Sequence, residues 1–119
     1  MSVPVELDAL RSRIDEFGPV AYLVTVGDDH RPHVVSIEVR CEADRLVLHA
    51  GRRTAANLAS APTLTLLWPS RNGGAYSLIV DAAAAAPPGD DGAFAAVPAS
   101  AVLHRVAGAP GTGATCLPV

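Results

Sequence analysis

The sequence predicts a mainly β domain: an antiparallel six-stranded β-barrel with an N-terminal helix and a short helix between the third and fourth strands. Three observations carry this expectation. Short runs rich in Val, Leu, Ile and Thr recur along the chain. Only a few Gly, Asp, Pro or Asn residues separate most of them, which makes neighbours antiparallel hairpins rather than βαβ units. Helical spacing of apolar residues surfaces in just two places. With 119 residues, half of them apolar, there is room for one domain spanning 1–119 and for a core that needs no disulfides.

The elements follow in order. In residues 5–17, Leu7, Leu10, Ile14 and Phe17 fall at helical spacing and acids lead the first turn. Gly18-Pro19 closes this N-terminal helix, so segment 1–18 must lie on something apolar. Residues 20–26 (VAYLVTV) form a first strand, and Gly27 to Pro32 a turn. Residues 34–41 alternate, with Val35, Ile37, Val39 and Cys41 on one face and Ser36, Glu38 and Arg40 on the other. Ala43-Asp44 turns the chain into a third strand, residues 45–50. Residues 54–60 (TAANLAS) suit one or two helical turns stopped by Pro62. A fourth strand at 63–68, a turn at Arg71-Asn72-Gly73-Gly74 and a fifth strand at 75–82 come next. The alanine run to Ala86 reads as a fraying strand end before the Pro87-Pro88-Gly89 loop. A last strand lies within 95–106, strongest at 101–106, with Pro98 interrupting it. The Gly/Pro-rich stretch 107–119 reads as a loosely ordered tail. Strands 20–26 and 76–80 are apolar on both faces, which points to a second copy covering one face in a homodimer.

Composition excludes several functions. Formal net charge is −3 with no block of like charges, so neither nucleic acid nor a membrane surface is an expected partner. Residues 1–17 carry six charged side chains and no apolar signal core, and no apolar run reaches spanning length. Cys41 and Cys116 are too few and too far apart for a disulfide framework. A soluble cytoplasmic protein with reduced thiols is expected. All nine basic residues are Arg, so Schiff-base chemistry and a Walker-type phosphate loop, both lysine-dependent, are excluded.

One segment invites a ligand. Gly51-Arg52-Arg53-Thr54 leaves a strand and enters a helix, where free N–H groups and the helix dipole favour an anion. Two guanidiniums and a hydroxyl there suit a phosphate or carboxylate; equally, the arginines could be solvated charges and Thr54 a simple cap. His49 directly precedes this turn and either adds a hydrogen bond or is structural. His30, His33, His49 and His104 show no zinc spacing, and no metal is expected. No serine lies in a nucleophile elbow and neither cysteine has an obvious base. Glu38 and Asp81 read as exterior or interface charges before proton-transfer groups. Trp68 and Tyr76 read as core or interface aromatics, Trp68 alternatively as a wall for a flat ligand.

Together, residues 21–39 (AYLVTVGDDHRPHVVSIEV), 51–68 (GRRTAANLASAPTLTLLW) and 75–82 (AYSLIVDA) resemble the pyridoxamine 5′-phosphate oxidase-like family of flavin-binding split β-barrels. The first resembles the family's strand–turn–strand opening, with His30 where Gly is common. The second resembles its phosphate-binding strand–turn–helix, with Leu58 and Ala61-Pro62 at the family's spacing. The resemblance implies a homodimer holding FMN at its interface, or a deazaflavin coenzyme or heme in some branches. It implies that Arg52, Arg53 and Thr54 contact the phosphate, that Val34, Val35 and Ser36 lie along the ring system, and that His49, Ala50 and Gly51 border it. Thr54 stands where Lys is common and Val35 where the true oxidases carry Arg, so two positive charges are missing. The oxidases' C-terminal substrate segment is absent too, and pyridoxamine-phosphate oxidation is not expected. The implied function is a flavin-dependent oxidoreductase acting on a small-molecule substrate; the alternative is a non-catalytic flavin- or heme-binding dimer that keeps the barrel.

Overall fold

The computed structural model describes residues 2–71 and 74–105. The 107–119 tail, Cys116 and the centre of the 71–74 turn lie outside the described residues.

Among the described residues eight strands pair into one antiparallel sheet accompanied by two helices: β1 (Ser2–Pro4), α1 (Leu10–Phe17, preceded by a 3-10 turn at Leu7–Ala9), β2 (Val20–Val26), β3 (Pro32–Glu38), β4 (Arg40–Glu42), β5 (Arg45–His49), α2 (Arg52–Ser60), β6 (Thr63–Trp68), β7 (Tyr76–Ala84) and β8 (Ala93–Arg105). The hydrogen-bonded order is β3-β2-β6-β7-β8-β5-β4, with β1 added to β8. The class is the expected mainly β split barrel. The count differs because β1 is too short to show a period and because the single strand expected at 34–41 divides at Val39.

That division closes the sheet. β3 pairs with β2 at one end of the path and β4 pairs with β5 at the other, yet only Val39 separates β3 from β4. The two ends are therefore one continuous segment bent at a buried valine, whose N–H donates to the Pro19 carbonyl at 2.7 Å. Inward-facing Ala21, Leu23, Leu46, Leu48, Leu64, Leu66, Trp68, Leu78, Val80, Phe94 and Ala96 fill the interior. Leu10 and Ile14 of α1 close one end. Trp68 is wholly buried, and its indole N–H donates to the Gly18 carbonyl at 2.9 Å, tying the end of α1 to β6.

Two expectations change. The alanine run does not fray at Ala82: β7 continues to Ala84, flanked by β6 and β8. Pro98 does not interrupt β8, because Asp81 pairs with Ser100 while Ala82 pairs with Pro98, leaving Ala99 as a bulge. A missing N–H is tolerated at such a bulge.

Ala43, in the β4–β5 turn, has φ +55, a region that disfavours a Cβ. Gly92 has φ +86, and a Cβ there would sit 2.5 Å from the Ala50 carbonyl oxygen. Opposite outcomes are expected in urea unfolding: Ala43→Gly stabilises by about 0.5–1 kcal/mol, whereas Gly92→Ala destabilises by about 2–4 kcal/mol.

Candidate functional site

Of the sequence-predicted residues, those on β3, at the end of β5 and at the head of α2 border the split between β3 and β5. β3 pairs only with β2, and β4 covers only Arg45 to Val47 of β5. The outer edge of β3 thus faces the end of β5 across an unpaired gap, and the chain passes from there through His49, Ala50 and Gly51 into α2.

At the head of α2 the arrangement suits an anion. Gly51 occupies the N-cap position in extended conformation and supplies no side-chain cap. The first helical bond runs from the Ala55 N–H to the Gly51 carbonyl at 2.9 Å. The N–H groups of Arg52, Arg53 and Thr54 precede it, so they have no intrahelical acceptor. Nothing lies within 4 Å of where a Gly51 Cβ would stand, leaving room for close approach. Arg52 and Arg53 are exposed. This donor set, three N–H groups with two guanidiniums at a positive helix end, fits a phosphate.

The residues are not equivalent. Thr54 is neither a cap nor a surface hydroxyl: it is the third helical residue and only 2% exposed. It reaches the turn through its backbone N–H. On β3, opposite residues share a face of the sheet: Val24 with Val34, Tyr22 with Ser36. Val34 and Ser36 therefore point outward and Val35 into the barrel, as the expected alternation requires. Trp68 is corrected out of the site, since its burial in the core leaves no ring face for a ligand. His104, whose Nδ1 lies 3.2 Å from Ser2 Oγ, is in β8 far along from Ala93, the partner of His49. The two histidines do not share a site.

What sequence reasoning missed is the docking of the β2–β3 turn onto α2. Asn57 Nδ2 donates to Thr25 Oγ1 at 3.1 Å, a buried polar pair between helix and β2. A Cβ on Gly27 would stand 2.4 Å from Asn57 Oδ1, so the turn approaches that closely only as glycine. Ser60 donates to Asp28, and Arg53 Nη2 lies 3.4 Å from Asp29 Oδ2. Asp29 Oδ1 also accepts the Arg31 N–H at 3.0 Å. His30, where the family commonly has glycine, has φ +60, the conformation that explains that preference. The Gly-Asp-Asp string was visible as a turn; its partners on α2 were not.

Elsewhere, a pocket of about 350 Å³ lies between α1 and the β4–β5 turn, with Arg11, Cys41 and Arg45 in its lining. Burial pushes the Cys41 thiol up, Arg11 opposing and Asp15 adding to the shift, so the residue is a protonated thiol near neutrality. Among the described residues no helix is long and apolar enough to cross a membrane.

Two relatives, an uncharacterised protein of Mycobacterium bovis and one of Mycobacterium tuberculosis, are each 38% identical over 115 residues, a match covering 85% of this chain and 80% of theirs. No protein-family model matches the chain. Among solved structures, an FMN-binding protein of Syntrophomonas wolfei superposes with a TM-score of 0.67 at 12% identity, covering 85% of this chain and 87% of its own. An F420 reductase gives 0.58 at 16% identity, with 70% and 89% covered. A heme-storage protein of Vibrio cholerae gives 0.56 at 14%, with 87% and 93% covered. These structures share the fold.

Because the Asn57–Thr25 bond holds the turn to α2, Asn57→Ala leaves a buried hydroxyl without its donor and is expected to cost about 1–3 kcal/mol. Thr25→Val in the Asn57→Ala background should add less than it does alone, a coupling that a double-mutant cycle in urea measures.

Proposed function

We propose that this chain, which belongs to one family with the two mycobacterial proteins and shares the split-barrel fold of an FMN-binding protein and an F420 reductase, is a flavin-dependent oxidoreductase of the pyridoxamine 5′-phosphate oxidase-like kind, using FMN or a deazaflavin coenzyme. The observation that carries the reading is the head of α2, three N–H groups without helical acceptors beside two exposed arginines at the mouth of the split. Arg52, Arg53 and the N–H groups of residues 52–54 hold the cofactor phosphate. Val34 and Ser36, with the backbone of β3, lie along the ring, and His49 to Gly51 border it. The bound flavin supplies hydride transfer. The protein's part is to bind, orient and shield it, which matches a site with no nucleophile or paired acid and base.

A homodimer completes this site. Val20, Tyr22 and Val26 of β2 and Val34 of β3 stand 58%, 44%, 46% and 55% exposed. The register puts Val20, Tyr22, Val24 and Val26 on the same outer face as Val34 and Ser36. Such a contiguous apolar face on a small domain marks an interface. The copy that covers it also covers Val34, turning an open turn into a walled slot.

Two experiments test the reading. Apo-protein titrated with FMN and with the deazaflavin coenzyme, followed by ring fluorescence, should bind at least one. Arg52→Ala and Arg53→Ala should each weaken binding by about 1.5–3 kcal/mol, the worth of a charged hydrogen bond. No binding of either cofactor at high micromolar concentration overturns it. In analytical ultracentrifugation the protein should sediment as a dimer and Tyr22→Glu as a monomer; an unaltered dimer in the variant rejects this face as the interface.

A further inference from the structure

The arginine that faces the proposed phosphate is not free. Arg53 Nη2 is 3.4 Å from Asp29 Oδ2, and the aspartate is held there from its other oxygen by the Arg31 N–H at 3.0 Å. The turn carrying it is fixed in three further ways: Asp28 accepts from Ser60, Gly27 packs under Asn57, and the His30 N–H donates to the Gly27 carbonyl at 3.0 Å. Asp29 is thus a half-exposed carboxylate whose place beside the anion turn is fixed by these contacts. Its presence reduces the side-chain charge at the head of α2 from two arginines to a net single positive charge.

The charge matters because candidate cofactor phosphates differ in charge. A phosphate monoester such as that of FMN carries about −1.5 to −2 near neutrality. A phosphodiester, the linkage of deazaflavin coenzymes, carries one negative charge. A fixed carboxylate repels a doubly charged group twice as strongly as a singly charged one at the same distance. We propose that Asp29 is a specificity-determining residue that narrows the advantage a doubly charged phosphate monoester has over a phosphodiester at the Arg52–Arg53 turn, and so opens the turn to phosphodiester-linked deazaflavin coenzymes. This inference rests on the flavin reading of the turn and adds to it what sets the turn's discrimination between phosphate classes.

The test compares three ligands sharing one ring system: riboflavin, FMN and the monomethyl ester of FMN, which is a phosphodiester. Each is titrated into the full chain and into Asp29→Asn at pH 7.5 and low salt, followed by ring fluorescence. Asparagine keeps an oxygen for the Arg31 N–H, so the turn keeps its shape. For charges about 6–7 Å apart in a water-like dielectric, the variant should bind the methyl ester about threefold and FMN about tenfold more tightly, with riboflavin unchanged. The extra gain for FMN should shrink as salt is raised. An equal gain for both phosphates, or none, overturns the role of Asp29 while leaving the flavin site standing. Failure of all three ligands to bind either protein overturns both.

Discussion

The architecture hangs on the bend at Val39. The segment 32–42 supplies both ends of the sheet's hydrogen-bonded path, so the sheet curls into a barrel because one stretch of chain must pair with β2 before the bend and with β5 after it. A buried side chain and an N–H bonded to Pro19 hold the bend. The same bend sets the limit of closure. Beyond Val39 the β3 edge leaves β5, and the split between them is where a backbone-lined slot can exist. Had β3 and β5 zipped fully, the N-terminus of α2 would open onto paired strands, and its donors would face no space.

The head of α2 is in turn located by polar contacts rather than by apolar packing alone. Thr25, Thr54 and Asn57 are the buried polar residues of the described structure, and all three lie where α2 meets β2. The Asn57–Thr25 bond satisfies both groups within the protein. This placement accounts for a threonine at position 54, where the resemblance to the flavin-binding split barrels leads us to expect lysine. The third residue of α2 faces the interior at 2% exposure, so a lysine there would have to bury its stem and force its ammonium back to the surface. Threonine fits the space and leaves the positive charge to Arg52 and Arg53. On the proposed reading the turn's side-chain charge therefore comes from two arginines alone, and the carboxylate of Asp29 lowers it.

Most of the fold was legible because the sequence obeys simple periods. Alternation in 34–41 put Val35 and Ile37 on the face opposite Ser36 and Glu38, and helical spacing in 5–17 aligned Leu10 and Ile14, the pair that the structure buries. The misses share a cause: each depends on a neighbour distant in sequence. Ala82 to Ala84 are poor strand formers, yet β6 and β8 pair with them on both sides. Pro98 lies in a strand because Ala99 bulges opposite Asp81. β1 exists only as an addition to β8. Trp68 looks from its sequence like a residue that could stack on a ligand, but its N–H finds the Gly18 carbonyl. In the site, the Arg-rich turn was legible from local chemistry. Asp29 was not, since the pairing of residues 24 positions apart follows from the way the β2–β3 turn docks on α2.

On the proposed reading, the uncovered face and the open turn are two aspects of one incompleteness. Val34 belongs to both, because its outward direction is fixed by the pairing of Val24 with Val34, and its strand also forms the edge of the split. A partner that seats on Val20, Tyr22 and Val26 must approach β3, and in doing so it removes water from beside the head of α2. Lower water content strengthens the attraction between guanidinium and phosphate and, equally, the repulsion from Asp29. Assembly and cofactor selection are then thermodynamically linked: whatever charge the slot rejects in the dimer, it rejects less in the isolated chain.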